Sequence, residues 1–207
     1  MNYQESTKGA SMQVLYRLAV VIVFLIALPV MGLIALFIIF DSGLPILFRQ
    51  IRVGKNNIHF LIYKFRTMRV GADCEQARLK HLNEANGPVF KIHNDPRFTR
   101  IGKFLAHTGL DELPQLINVI RGDMALIGPR PLPVDEAKKL TPRQMKRHVI
   151  KPGIISPWIL EGYHKQSFEA WMKSDIAYSK EKTFLYDVVL ARRCSMLLIT
   201  LLSHELS

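Results

Sequence analysis

His107–Asp123 reads "HTGLDELPQLINVIRGD". With Asp111 as N-cap, Pro114 falls at the third helical position, where no intrahelical amide bond is lost. Leu113, Leu116, Ile117 and Ile120 then share one apolar stripe, and Gly122 is a natural stop. The spacing predicts a helix that opens at Asp111. Asp111 and Glu112 are open to two readings. One is a cap followed by a first-turn acid favoured by the helix dipole. The other is a working pair of carboxylates, which would explain an acidic doublet in a chain of net charge +11.

C-terminal to this stretch, "ALIGPRPLP" places prolines around Arg130. They stiffen the backbone and aim the guanidinium, which suits a bidentate phosphate contact, or they form a proline-rich connector with an exposed arginine. "TPRQMKRHVIKPG" predicts a helix capped at Thr141 and ended by Pro152-Gly153. Ser167–Cys194 has a helical pattern, with Trp171, Ile176 and Tyr178 as core or interface residues and Asp175 on the helix surface. The apolar tail is interrupted by Arg192 and Arg193, which suits a helix lying at a membrane surface or a core helix.

N-terminal to it, "NGPVFKIHNDPRFTR" is a loop broken at Gly87-Pro88 and Asp95-Pro96, carrying Lys91, Arg97 and Arg100. Ala72 to about Leu82 is weakly helical and polar. Earlier, two β-rich runs flank Gly54-Lys55-Asn56-Asn57 and predict a hairpin. Ile62, Lys64 and Arg66 share one face of its second run, either a solvated basic edge or a phosphate-binding face. Leu18–Phe40 is uncharged and exceeds the roughly 20 residues that cross a bilayer core. Pro29 lies at its middle, where it favours a kink. Both flanks are basic, so the positive-inside rule keeps both ends on the cytoplasmic side. A straight span and a bent, re-entrant helix both remain open on physical grounds.

The chain has 207 residues, 22% of them charged, which is enough for one domain with a core plus a membrane element. The excess of Lys and Arg points to a polyanionic partner. Two cysteines without CxxC spacing disfavour thiolate zinc and a disulfide framework. No P-loop, GxGxxG or HExxH occurs, and no basic-aromatic ladder suggests single-strand nucleic-acid binding.

In order, "DSGLPILFRQIRVGKNN", "IYKFRTMR", "NDPRFTRIGKFL", "LDELPQLINVIRGDMALIGPRP" and "KPGI" resemble the bacterial sugar transferase family, the monotopic polyprenyl-phosphate phosphoglycosyl transferases. The resemblance runs from about Leu18 onward, and the length is similar to the minimal catalytic form. It implies a mainly helical α+β fold with a β-hairpin and interfacial amphipathic helices. Residues 1–43 would form a re-entrant membrane helix broken at Pro29, and residues 44–207 the cytosolic catalytic domain. The implied enzyme is a Mg²⁺-dependent phosphotransferase of the bacterial inner membrane, with its active site on the cytoplasmic face. It would move a sugar-1-phosphate from a UDP-sugar to undecaprenyl phosphate, releasing UMP, as the first membrane step of surface-glycan synthesis. Asp111 would be the nucleophile of a covalent phosphoryl-aspartyl intermediate, with Glu112 beside it at the metal. A helix N-terminus in basic surroundings would keep Asp111 ionised. Arg130 would hold a phosphate, with Lys64, Arg66, Arg97 and Arg100 as further candidates. The implied partners are the lipid phosphate, the nucleotide sugar and the bilayer. No nucleic acid is expected, and a homodimer is left open.

The sequence departs from the family pattern at Leu28, Ala106, Ile159 and Tyr163, where Ser, Arg, Gln and Arg are usual. A catalytically inactive membrane scaffold of the same fold is therefore the alternative. A membrane-tethered nucleic-acid binder would leave the Asp-Glu pair without a role.

Overall fold

The computed structural model describes the backbone of residues 3–160 and 167–206, with side chains from 13 to 158, at 160 and from 167 to 205. Tyr163 and the side chain of Ile159 lie outside the described residues.

Helix α1, Tyr3–Ser42, contains Pro29. Val20, Phe24, Ala27, Met31, Ile34 and Ile38 recur at helical spacing and pack on the rest of the chain. The opposite side is also apolar and exposed, at Ile22, Leu25, Ile26, Leu33, Leu36 and Phe40. Gln13–Ser42 is long and apolar enough to cross a membrane. Its apolar run nevertheless touches the globular part along its length. Tyr16 accepts a hydrogen bond from the Leu126 amide (2.8 Å), and Asp41 accepts one from the Ile101 amide (3.3 Å).

The predicted hairpin is present. β1 (Leu47–Val53) and β2 (His59–Phe65) pair antiparallel from Leu47↔Phe65 to Val53↔His59. Asn56 and Asn57 take φ of 52° and 61° at the turn, a conformation that asparagine tolerates. α2 (Ala72–Glu75) and a 3-10 turn at Lys80–Leu82 are all the regular structure in the polar segment that follows. α3 spans Arg100–Thr108, capped by Thr99, whose hydroxyl accepts from the Gly102 amide (2.9 Å). Gly102 sits against the Thr67 backbone so closely that an added Cβ would lie 1.9 Å from the Thr67 carbonyl oxygen.

α4 (Leu116–Arg121) ends at Gly122, as its sequence predicts. β3 (Ala125–Ile127) then pairs parallel with β4 (Gly153–Ile155). The loop expected at Pro152-Gly153 is therefore the start of a strand. A Cβ on Gly153 would fall 2.0 Å from the Gly128 amide nitrogen, so only glycine allows the approach. Between them lie α5 (Val134–Ala137) and Gln144–Val149, which is a 3-10 helix. Thr141 and Gln144 bond reciprocally as a capping box (2.8 and 3.4 Å).

α6 (Pro157–Leu160), α7 (Phe168–Glu181) and α8 (Phe184–Leu206) complete the chain. Trp171, Met172, Asp175 and Tyr178 form the buried stripe of α7. Trp171 and Tyr178 thus enter the core, while Ile176 is half-buried. Asp175, expected on the helix surface, is fully buried. Its place on the apolar stripe is explained by Arg147, which pairs with it from another element (2.5 Å). α8 buries Leu190 against Ile127 and Tyr178. Its other side leaves Phe184, Leu185, Val188, Val189, Met196 and Ile199 exposed.

Candidate active site

The acidic pair lies in a 3-10 turn, Leu110–Gln115, wedged between α3 and α4. The predicted helix start at Asp111 is not observed. α3 runs on to Thr108, and Gly109, at φ 77°, ends it and opens the next turn in the same step. Asp111 makes no capping bond because its carboxylate turns toward β2. There Lys64 Nζ stands 3.3 Å from Asp111 Oδ2 and 2.6 Å from Glu112 Oε1. The basic face of β2 is therefore an inner face at Lys64. Arg130 approaches from the other side, Nη1 to Glu112 Oε1 at 2.9 Å.

These side chains are held by backbone interlocks. Asn118, fully buried on α4, donates to Leu61 O (2.7 Å) and accepts from the Tyr63 amide (3.2 Å), taking the place of a third strand beside β2. That fixes the register of Lys64 against the 3-10 turn. Around Arg130, four successive carbonyls are tied down. Pro129 O accepts from the Gly153 amide (3.0 Å), Arg130 O from Arg147 (2.6 Å), Pro131 O from Arg52 (3.0 Å) and Leu132 O from the Val53 amide (3.0 Å). Pro129 and Pro131 supply no competing amides. The loop's stiffness thus comes from proline chemistry and from three separate elements together.

Electrostatics separate the two carboxylates. Burial raises the Asp111 carboxyl, opposed by Lys64 and reinforced by Glu112. The expectation that a helix terminus keeps Asp111 ionised is thus replaced by a balance of burial against Lys64. At Glu112 burial also acts upward, but Lys64 and Arg130 outweigh it and hold the group well below the usual carboxylate range. Further cations stand near. Burial, and then Arg130, lower Arg52 to about 10 and Lys91 to about 7. Arg52, Ile62, Lys64, Glu112, Gln115, Arg130 and Pro131 line a narrow crevice. Sequence reading assigned no site role to Arg52, Lys91 or Gln115. The only signal for Arg52 was its place two residues before the hairpin turn, on the face opposite its neighbours.

The remaining candidates are placed differently. Arg66 is buried, and its guanidinium donates to Pro45 O, Ser42 O, Ser42 Oγ, Gly43 O and Met68 O, clamping the end of α1 to the hairpin. Arg97, also buried, forks onto Asp95 (2.9 and 2.6 Å), donates to Ala72 O (3.2 Å) and stacks on Phe90. It organises the loop before α3. Arg100 is exposed at the first turn of α3. Ala106 is followed by His107, whose ring bonds Glu205 on α8 (3.0 Å) and His93 O (3.0 Å).

The donor set suits a hard divalent cation. Asp111 and Glu112 converge on a single ammonium, and Mg²⁺ is commonly held by one or two carboxylates together with substrate phosphates. Among the described residues there is no cluster of three or more His, Cys, Asp or Glu that would form an all-protein cage.

The chain is 41% identical over 168 residues to the galactosyl transferase CpsE of Streptococcus agalactiae serotype III, covering 79% of this chain and 37% of that protein. It is 37% identical over 190 residues to the UDP-N-acetylgalactosamine-undecaprenyl-phosphate N-acetylgalactosaminephosphotransferase of Aeromonas hydrophila, covering 88% and 42%. It is 36% identical over 179 residues to the UDP-glucose:undecaprenyl-phosphate glucose-1-phosphate transferase of Escherichia coli K12, covering 83% and 36%. The chain thus spans less than half the length of these relatives. The family described as bacterial sugar transferase matches residues 9–200, which include the hairpin, the acidic pair and the Arg130 loop. By that match, this chain belongs to the bacterial sugar transferase family.

Proposed function

We propose that this protein transfers a sugar-1-phosphate from a UDP-sugar to undecaprenyl phosphate at the cytoplasmic face of the bacterial inner membrane. The observation that carries the reading is the convergence of Lys64 and Arg130 on a buried carboxylate pair whose two members are pushed apart in acidity. Such a pair assigns two roles to two acids. Asp111 is the nucleophile. Its Oδ attacks the β-phosphorus of the donor, the bond to the α-phosphate oxygen breaks, and UMP leaves. The lipid phosphate oxygen then attacks the same phosphorus and returns the Asp111 carboxylate. Glu112 stays anionic, anchors Lys64 and Arg130, and keeps both cations aimed at the transferring group. Arg52 and Lys91 add positive charge where the diphosphate enters. When bound, Mg²⁺ would be held by Asp111 and Glu112 and would neutralise charge on the diphosphate. Arg66 and Arg97 serve the frame of the site.

The membrane reading rests on α1. From Tyr16 to Ser42 it extends about 39 Å at 1.5 Å per residue, with contacts to the same domain near both ends. A straight crossing would carry one end away from that domain. We infer a monotopic, re-entrant arrangement that bends at Pro29, which has no amide to donate to the preceding turn. The exposed apolar side of α8, with Arg192 and Arg193 beside it, would lie at the interface.

The test is UMP release by purified protein given undecaprenyl phosphate, Mg²⁺ and a panel of UDP-sugars. Release with one donor, lost in Asp111→Asn, is expected. Intact mass without lipid should show one sugar-phosphate added at Asp111. No release and no adduct with any nucleotide sugar would refute the reading.

A further inference from the structure

The crevice beside Glu112 carries hydrogen-bonding capacity that the protein itself does not use. Gln115 is 1% exposed, yet neither Oε1 nor Nε2 of its carboxamide meets a partner among the described residues. The buried Nε of Arg52 is in the same condition, although Arg52 Nη1 is bonded to Pro131 O. The two side chains come from different elements, the 3-10 turn and β1, and both line the same crevice with Lys64, Glu112 and Arg130. Buried amides are almost always paired, because an unmet donor or acceptor destabilises the fold, and a methionine of similar volume would avoid that cost. Two residues with unmet groups line one crevice beside two cations, and together they call for an anionic, oxygen-rich ligand.

We propose that Gln115 Nε2 and Arg52 Nε form a subsite that binds the non-bridging oxygens of a substrate phosphate beside the Asp111–Glu112 pair. This deepens the transferase reading and rests on it for the ligand's source, which is either the diphosphate of the nucleotide sugar or the phosphate of the lipid. No covalent step involves Gln115. Its amide holds the phosphate in line with Asp111.

The experiment compares full-length wild type with Gln115→Met, Gln115→Glu and Arg52→Lys in detergent. Thermal midpoints are read alone, with inorganic diphosphate, with the active UDP-sugar and with undecaprenyl phosphate, and kcat and KM are read for both substrates. The expected result for Gln115→Met is a ligand-free midpoint equal to or above wild type, because the unmet amide is gone. It should also lose stabilisation by diphosphate and raise KM for one substrate about tenfold to a hundredfold. A rise confined to the UDP-sugar assigns the subsite to the donor diphosphate, and a rise confined to the lipid assigns it to the acceptor phosphate. Gln115→Glu should raise the same KM further through repulsion. Arg52→Lys, which keeps the charge but not the Nε donor, should move the same KM and keeps the test decisive if Gln115→Met does not fold. A lower midpoint for Gln115→Met with unchanged diphosphate stabilisation and unchanged KM values would overturn the proposal and make Gln115 a structural residue. Diphosphate stabilisation needs no turnover. A wild type that binds diphosphate through Gln115 but releases no UMP therefore keeps the subsite and removes the transferase reading. Turnover with KM values insensitive to all three variants does the reverse.

Discussion

Arg130 joins two ion clusters of opposite character. Its guanidinium donates to Glu112, and its carbonyl accepts from Arg147, which is paired with Asp175. The Arg147–Asp175 pair is closed, with side chains 1% and 0% exposed, one acid for one base, and Trp171 within cation–π reach. The cluster around Glu112 is open. Its acids are 11% and 14% exposed, Arg130 is 36% exposed, and Arg52 and Lys91 stand near with pKa values lowered by burial and by Arg130. A pair sealed from solvent is out of a ligand's reach and holds a backbone in place. An open cluster with surplus positive charge keeps its interactions for an incoming polyanion. Burial of charge alone does not mark an active site; incomplete neutralisation does.

Four outcomes follow from that contrast. Asp111→Asn keeps shape but removes the proposed attacking group, so UMP release should fall on the order of 10³-fold or more, with little change in thermal midpoint. Retained turnover would place the nucleophile elsewhere. Asp175→Asn leaves Arg147 buried and unpaired. It should destabilise the fold by about 3–5 kcal/mol, read as a drop in midpoint on the order of 10 °C. A change below about 1 kcal/mol would show that the closed pair is not needed for the fold. Arg130→Lys keeps charge but loses the planar fork. It should lower kcat/KM about tenfold to a hundredfold with the midpoint unchanged. The smallest effect concerns pH. Lys91 in the ligand-free protein loses its proton as pH rises through about 7, so donor affinity should weaken several-fold from pH 6 to 8. A bound polyanion favours the charged form, so binding near pH 7 should take up a proton, seen as a buffer-dependent binding enthalpy. Lys91→Arg should flatten the profile, and an unchanged slope would remove Lys91 from the phosphate path.

The hairpin, its asparagine turn, the apolar α1 run, the Gly122 stop and the Thr141 cap were all readable because each depends on residues a few positions apart. The helix start at Asp111 was misplaced because Gly109 ends α3 only one residue before Leu110, so two helical turns compete for the same segment. Asp175 was misplaced because periodicity identifies a buried face but not the charge that meets it. The parallel β3–β4 pair was missed for a related reason. Gly153 reads locally as a breaker, and only the approach of Gly128 makes it a strand residue.

From the sequence alone came the neighbouring carboxylates, the surplus of positive charge, the proline-stiffened Arg130 loop and the long apolar N-terminal run. These are properties of composition and short spacing. Tertiary structure decided which of many cations face the carboxylates. It sent Arg66 and Arg97 to backbone and loop partners, and it brought Lys64, Arg52 and Arg130 around Glu112. It also left Gln115 buried with its amide unmet. Such choices depend on contacts between residues far apart in the chain, where the gain from pairing and packing must exceed the entropy of closing the intervening loops.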